Sequence, residues 1–198
     1  MLCLDLEGVL VPEVWQAVAA STGIDALNKT TRDIPVYDDL MQYRLKIVAE
    51  HGISLSDIQA EISKLSPLPG AKDFLAWARD EFQVAIISDT FYEFGMPLMK
   101  HLDMPMLLCH KLVVEDDQIV SYQLRQTDPK RASVKAFKSL DYRVFAAGDS
   151  YNDVSMLDEA DAGFFFCAPD NVIADYPDFV ATEGYEDLKA ALLAARNS

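Results

Sequence analysis

Three times along this chain a short apolar run ends in an acidic loop: LCLDLEG at 2–8, VAIISDT at 84–90 and RVFAAGDSYND at 143–153. Runs so short and so apolar read as strands buried on both faces, and the helical patterns alternating with them predict crossover connections. The expectation is an α/β fold built on a doubly wound parallel sheet. In such sheets ligands bind beyond the carboxyl ends of the strands, where all three acidic loops fall.

The alternation is interrupted once. From Glu13 to about Pro69 the strand patterns stop, and helical patterns cover 13–21, roughly 36–51 and 54–65, the last opened by Ser54 as an N-cap. This predicts a small helical cap (13–69) inserted after the first strand, with a core of 1–12 and 70–198. Pro67, Pro69 and Gly70 mark the return to the core, and a helix at 70–81 feeds the strand at 83–88. At 107–124, two β-rich runs flank the turn-forming Glu115-Asp116-Asp117-Gln118 and predict a hairpin.

With 198 residues, 51% of them hydrophobic, the chain can bury one sizeable core and a smaller appended unit. Its formal charge of −15 disfavours nucleic acid and anionic membranes as partners. A phosphorylated ligand must then be drawn in by local cations. No apolar run approaches the roughly 20 residues that span a bilayer, and no basic leader precedes the first strand, so a cytoplasmic address is expected. Cys3, Cys109 and Cys167 lie far apart in apolar runs and read as buried thiols of a reducing compartment. His51, His101 and His110 share no zinc-ligand spacing with them and read as ordinary structural residues.

Four features carry chemistry. Asp5 and Glu7 flank one residue at the first strand's end, so strand alternation puts their carboxyls on one side. There one can attack phosphorus while the other, as an acid, protonates the leaving oxygen. Ser88 ends the second strand, where its hydroxyl can reach a phosphate oxygen or simply cap the next turn. Lys130 follows Pro129 at a helix start and suits a phosphate; Arg131 and Lys135 compete for that role, and a solvated surface cation is the plainer alternative. Gly148-Asp149-Ser150-Tyr151-Asn152-Asp153 sets hard oxygen donors on the third loop, as Mg²⁺ requires, although turn and N-cap chemistry also uses them.

In order and spacing, DLEGV, IISDT, DPK and GDSYND resemble the four motifs of the haloacid dehalogenase superfamily, which sit at neighbouring strand ends of a Rossmann-like core. The likeness spans nearly the whole chain. It is closest to the phosphoserine phosphatase branch and, through DLEGVLVPE and ISDTFYEF, to the subgroup that also transfers phosphate to homoserine. The resemblance implies Asp5 as nucleophile, Glu7 as general acid/base, and Ser88 and Lys130 as phosphate binders. It also implies Mg²⁺ held by Asp5, the Glu7 backbone carbonyl and Asp149, with Asn152 and Asp153 in support.

The sequence departs from that pattern in three places. Glu7 stands where Asp is usual, Val9 replaces a common hydroxyl residue, and Ser88-Asp89-Thr90 replaces Ser-Gly-Gly, bringing the Asp89 carboxylate toward the substrate. Phosphoserine adds an ammonium and a carboxylate to its ester, and the resemblance assigns these to Glu13 and Arg44. Without it, an acid near a helix start and an exposed arginine near Glu50 need no ligand. The implied partners are a phosphorylated amino acid and homoserine as acceptor, with a homodimer compatible but unspecified. Two other readings stay open: a phosphatase for a different small phosphomonoester, and a receiver-like phosphoacceptor domain.

Overall fold

The computed structural model describes residues 1–30, 33–34 and 36–198. Its centre is a seven-stranded sheet: β1 (Leu2–Leu4), β2 (Val84–Phe91), β3 (Met106–Glu115), β4 (Gln118–Gln123), β5 (Phe145–Gly148), β6 (Ala162–Phe166) and β7 (Val180–Thr182). The strands lie in the order β4-β3-β2-β1-β5-β6-β7. All pairings are parallel except β3 with β4, the expected hairpin. From β1 the chain goes first to β2 on one side and later to β5 on the other, so the order reverses there. Such a reversal opens a crevice at the carboxyl ends of the strands.

Alternate residues of the central strands feed two separate cores. Leu2, Leu4, Ile86, Phe145 and Ala147 face one core, which is closed by α4 (Ala71–Glu81) and α9 (Tyr185–Asn197) through Phe74, Ala78, Leu188 and Leu192. Cys3, Ala85, Ile87 and Ala146 face the other. That one is covered by α6 (Pro129–Ser139), α7 (Val154–Glu159) and α8 (Asp170–Asp175) through Val134, Phe137, Met156, Leu157 and Val172. Burial on both faces is why β1 reads as unbroken apolar sequence, each such side chain contributing about 1.5–3 kcal/mol.

Between β1 and α4 the described residues form α1 (Val14–Thr22), a 3₁₀ turn at Asp25–Asn28, α2 (Tyr37–Glu50) and α3 (Leu55–Ile62), with no strand among them. Ser54 begins α3 with a capping box: its hydroxyl accepts the Asp57 N–H while the Asp57 carboxylate accepts the Ser54 N–H, worth about 1 kcal/mol. The apolar faces of α1 and α3 join the first core through Val14, Val18, Ile58 and Ile62. α5 (Tyr92–Met99) follows β2 directly. Helices α2 and α3 are also clasped to the hairpin. Asp117 at its tip accepts from Leu55 N through its backbone oxygen (2.8 Å), and its carboxylate accepts from Ser56 N (3.1 Å) and Ser56 Oγ (2.5 Å). Tyr122 donates to Asp38.

Two expectations are corrected. β2 runs on past Ser88 to Phe91, but its ladder with β3 shifts register between Ile87 and Phe91, so Ser88, Asp89 and Thr90 leave the regular pairing. Cys3 and Cys109 are buried, whereas Cys167 is exposed: it follows β6 at a left-handed φ of 49° that turns the chain out of the apolar run. No described helix is long and apolar enough to cross a membrane.

Candidate active site

Register brings the first three acidic loops together. Leu4 pairs with Ile86 on one side and Ala147 on the other, so Asp5 emerges level with Ile87, where the regular β2–β3 ladder stops, and with the end of β5. The Asp5 N–H still donates to Ala147 O at 3.0 Å. The chain then folds back sharply, with Leu10 N and Val11 N both donating to Leu6 O and Gly8 N donating to Val11 O. Gly8 sits at φ +79°, a conformation that costs other residues about 1–2 kcal/mol.

Because β1 stops at Leu4, strand alternation does not set the relation of Asp5 to Glu7; this turn does. The two carboxyls have different neighbours. Glu7 Oε2 accepts from Val14 N at 2.9 Å, capping α1. Burial, reinforced by Glu13, pushes its carboxyl up to about 7, against the opposing pull of the Val14 N–H, Thr90 and Arg44. A carboxyl in that range can be protonated at neutral pH, which suits a general acid.

Asp5 is buried beside Lys130, Asp153, Asp149 and Asp89, and burial and the Asp153 charge hold its carboxyl well above the usual range. Lys130 is 1% exposed, so it is not a solvated cation. Its Nζ donates to Asp153 Oδ1 at 2.5 Å and lies 3.1 Å from Asp5 Oδ1 and 3.8 Å from Asp89 Oδ2. Burial works to lower its pKa, but Asp153, Asp5 and Asp89 together hold it well above normal. Arg131 and Lys135 instead meet Glu159 on the outside of α6.

Ser88 is buried and its Oγ accepts from Thr90 N at 3.3 Å, leaving its own proton free to donate. Asp89 Oδ2 accepts from Asn152 Nδ2 at 2.9 Å, joining the second and third loops. Burial alone raises the Asp89 carboxyl, yet Lys130 and the N–H groups of His110 and Asn152 outweigh it and hold it at about 2. Two contributors were not visible in the sequence. His110, read as an ordinary structural residue, faces Asp89 Oδ1 through Nε2 at 3.6 Å, and Tyr37 donates its hydroxyl to Asp89 O at 2.8 Å. Neither carries a motif; only the hairpin and α2 bring them here.

On the side of α1 and α2, Arg44 is buried rather than exposed near Glu50, which pairs with Lys46 instead. Its guanidinium lies over Trp15 at 4.9 Å and donates from Nη2 to Lys29 O at 2.9 Å. Its Nε is buried without a hydrogen-bond partner. Glu13 is exposed at the start of α1, and its charge is felt by Glu7, Arg44 and Asp149 alike. Arg44 thus carries a buried donor without a hydrogen-bond partner, and Glu13 an exposed carboxylate.

The donor set fits a hard divalent cation. Oxygens of Asp5, Asp149 and Asp153 lie within 4.8 Å of one another. Asp5 Oδ1, close to Lys130 but outside hydrogen-bond geometry, has no hydrogen-bond partner. Burial and the neighbouring Asp153 push Asp149 up to about 7. Excess buried carboxylate of this kind is the environment a bound cation relieves. Two glycines make room for these carboxylates: a Cβ on Gly8 would meet the Asp149 carboxylate at 2.4 Å, and one on Gly148 would meet the Asp153 carboxylate at 2.2 Å. Asp153 has a second task, its Oδ2 accepting from Asp149 N (3.0 Å) and Ser150 N (3.1 Å), which shapes the loop carrying Asp149.

Residues 11–158 match the haloacid dehalogenase-like hydrolase family. The chain is 63% identical over 194 residues to a Pseudomonas aeruginosa protein named phosphoserine phosphatase ThrH, covering 98% of this chain and 95% of that one. It is 61% identical over 196 residues to a Pseudomonas syringae pv. tomato protein named phosphoserine phosphatase, covering 98% and 83%. Among solved structures it resembles a phosphoserine phosphatase from T. onnurineus, with TM-score 0.73 and 25% identity, covering 95% of this chain and 91% of that chain. By the extent of the match and the arrangement of its strand-end residues, this chain belongs to the haloacid dehalogenase-like hydrolase family.

Proposed function

We propose that this chain is a Mg²⁺-dependent phosphoserine phosphatase that forms an aspartyl-phosphate on Asp5 and passes the phosphoryl group to water or to homoserine. The observation that carries the reading is the placement of Asp5: buried, one oxygen unpartnered, within 3.1 Å of the Lys130 ammonium and grouped with Asp149. The names borne by relatives at 61% and 63% identity support phosphoserine as substrate.

In this mechanism residues 1–12 and 70–198 act as the catalytic core and 13–69 as a cap over it. Lys130 and the Ser88 hydroxyl hold phosphate oxygens. Asp5, Asp149 and the Glu7 backbone carbonyl would hold the cation, which would supply positive charge that keeps the carboxylates ionised beside the anionic phosphate. Asp5 forms a bond to phosphorus as the bond from phosphorus to the seryl oxygen breaks, and protonated Glu7 delivers its proton to that oxygen. Glu7, now a carboxylate, takes the proton of the incoming water or homoserine hydroxyl as the acyl-phosphate bond breaks. Arg44 pairs with the amino acid carboxylate and Glu13 with its ammonium, while Asn152 and Asp89 border the phosphate side. Cytoplasmic residence agrees with three cysteines that form no disulfide.

The test is release of phosphate from L-phosphoserine against phosphoethanolamine, a sugar phosphate and a nucleotide, each with and without L-homoserine. L-phosphoserine is expected to be preferred, with O-phosphohomoserine formed alongside free phosphate. Preference for another phosphomonoester refutes the substrate. If ³²P from phosphoserine ends only in orthophosphate at every homoserine concentration, the transfer step is refuted.

A further inference from the structure

His110 lies in β3, 2% exposed, with the rings of Tyr37 and Phe91 against it at 5.9 and 6.1 Å. Its Nδ1 accepts the Arg125 backbone N–H at 3.1 Å. A nitrogen that accepts cannot carry the proton, so in the neutral ring the proton sits on Nε2, which faces Asp89 Oδ1 at 3.6 Å. The other Asp89 oxygen takes the Asn152 amide at 2.9 Å and lies 3.8 Å from Lys130 Nζ. Asp89 is thus drawn two ways: toward the imidazole N–H and the Asn152 amide, or onto the ammonium.

We propose that His110 is a positioning residue for phosphate binding, its Nε2–H restraining Asp89 from closing onto Lys130. The inference rests on the reading of Lys130 as a phosphate ligand. Lys130 already faces Asp5 and Asp153; a third carboxylate moving into contact would occupy the directions in which its ammonium meets phosphate oxygens. The restraint is anchored from behind. Arg125 supplies the backbone N–H that fixes the tautomer, and its guanidinium donates to Ser133 Oγ at 2.5 Å on α6, the helix that carries Lys130. The imidazole and the ammonium it protects are therefore referenced to the same structural element.

The experiment compares His110→Phe, which keeps an aromatic ring but no donor, with His110→Gln, whose terminal N–H reaches about as far as Nε2. The probes are orthophosphate as inhibitor of the Mg²⁺-loaded enzyme and L-phosphoserine as substrate. For the Phe variant, the orthophosphate inhibition constant and the KM should each rise several-fold, the scale of losing a polar contact to a carboxylate that is longer than a hydrogen bond. kcat should change much less, and Gln should restore both constants toward wild type. Unchanged orthophosphate affinity in the Phe variant, or no recovery with Gln, overturns the proposal. ¹⁵N NMR of the wild-type ring, which needs no variant to fold, overturns it if the proton sits on Nδ1. Should phosphoserine prove not to be the substrate, the orthophosphate and NMR measurements still decide the role of His110.

Discussion

The α-carbon of Gly8 and the carboxylate of Asp149 are packed so closely that one added methyl group would stand 2.4 Å from Asp149 Oδ2. The first loop and the third are therefore fitted to each other at the place where a cation would sit. Gly8→Ala should displace Asp149 and strain a φ of +79°. The expected loss is about 2–4 kcal/mol of stability, together with a Mg²⁺ concentration for half-maximal activity raised on the order of tenfold. Denaturant melts and Mg²⁺ titration of activity check both; a wild-type Mg²⁺ requirement would dissociate Gly8 from the metal.

Asp5→Asn keeps the shape of the proposed nucleophile and removes its charge. Burial of Asp5 among other carboxyls means the amide relieves repulsion, so the fold should persist. Acid-quenched ³²P labelling should find no phosphoenzyme and turnover should vanish. Glu7→Gln should still form phosphoenzyme slowly, with overall turnover lowered roughly 10²–10⁴-fold. Normal turnover by a sequence-verified Asp5→Asn protein would end the covalent mechanism.

Stability of the metal-free protein should depend on pH through Glu7. Its carboxyl is raised from 4.5 to about 7 by burial and by Glu13. Below about 4.5 the group is protonated in both folded and unfolded chains and contributes no pH dependence. Between 4.5 and 7 the unfolded chain releases the proton and the folded one retains it, so stability falls as pH rises, by up to about 3 kcal/mol. Above 7 the penalty is constant. Urea unfolding from pH 5 to 8 should show this decline in wild type and a shallower one in Glu7→Gln; parallel curves would show that Glu7 titrates normally.

Arg44 has a buried Nε with no partner and sits within the fields of Glu7 and Glu13. Arg44→Ala should lower kcat/KM for phosphoserine by roughly 10–100-fold, the scale of a lost charged hydrogen-bond pair. Phosphoethanolamine, which lacks the carboxylate, should be affected far less. An unchanged ratio between the two substrates removes Arg44 from recognition.

The parts of the molecule that sequence reveals are those set by local pattern. β1, β2 and β5 are legible because burial on both faces leaves only apolar residues, and Ser54 is legible because its capping partner lies three residues away. Asp5, Lys130 and Asp149 follow from loops that end those strands. β7 is not legible: two of its three residues are exposed, so neither an apolar run nor an alternation marks it. His110 and Tyr37 reach Asp89 from distant segments, His110 with its tautomer set by a backbone N–H across the hairpin. No spacing rule encodes such meetings. Arg44 shows the opposite case: its helical position was legible, but its burial against Trp15 depends on tertiary packing.

The contacts at Asp117 join two parts of the chain 61 residues apart, and the hydrogen bonds of its carboxylate to Ser56 are exposed to water. Bonds of that kind exchange readily with solvent, whereas the apolar faces of α1 and α3 are sunk in the first core. The hairpin tip thus behaves as a snap fastener on a sewn hem: it can unclip and re-engage while the stitched side holds its alignment. Local opening of this region should therefore begin at Ser56 and Asp117, residues remote from the reacting atoms, before the packed faces of α1 and α3 loosen.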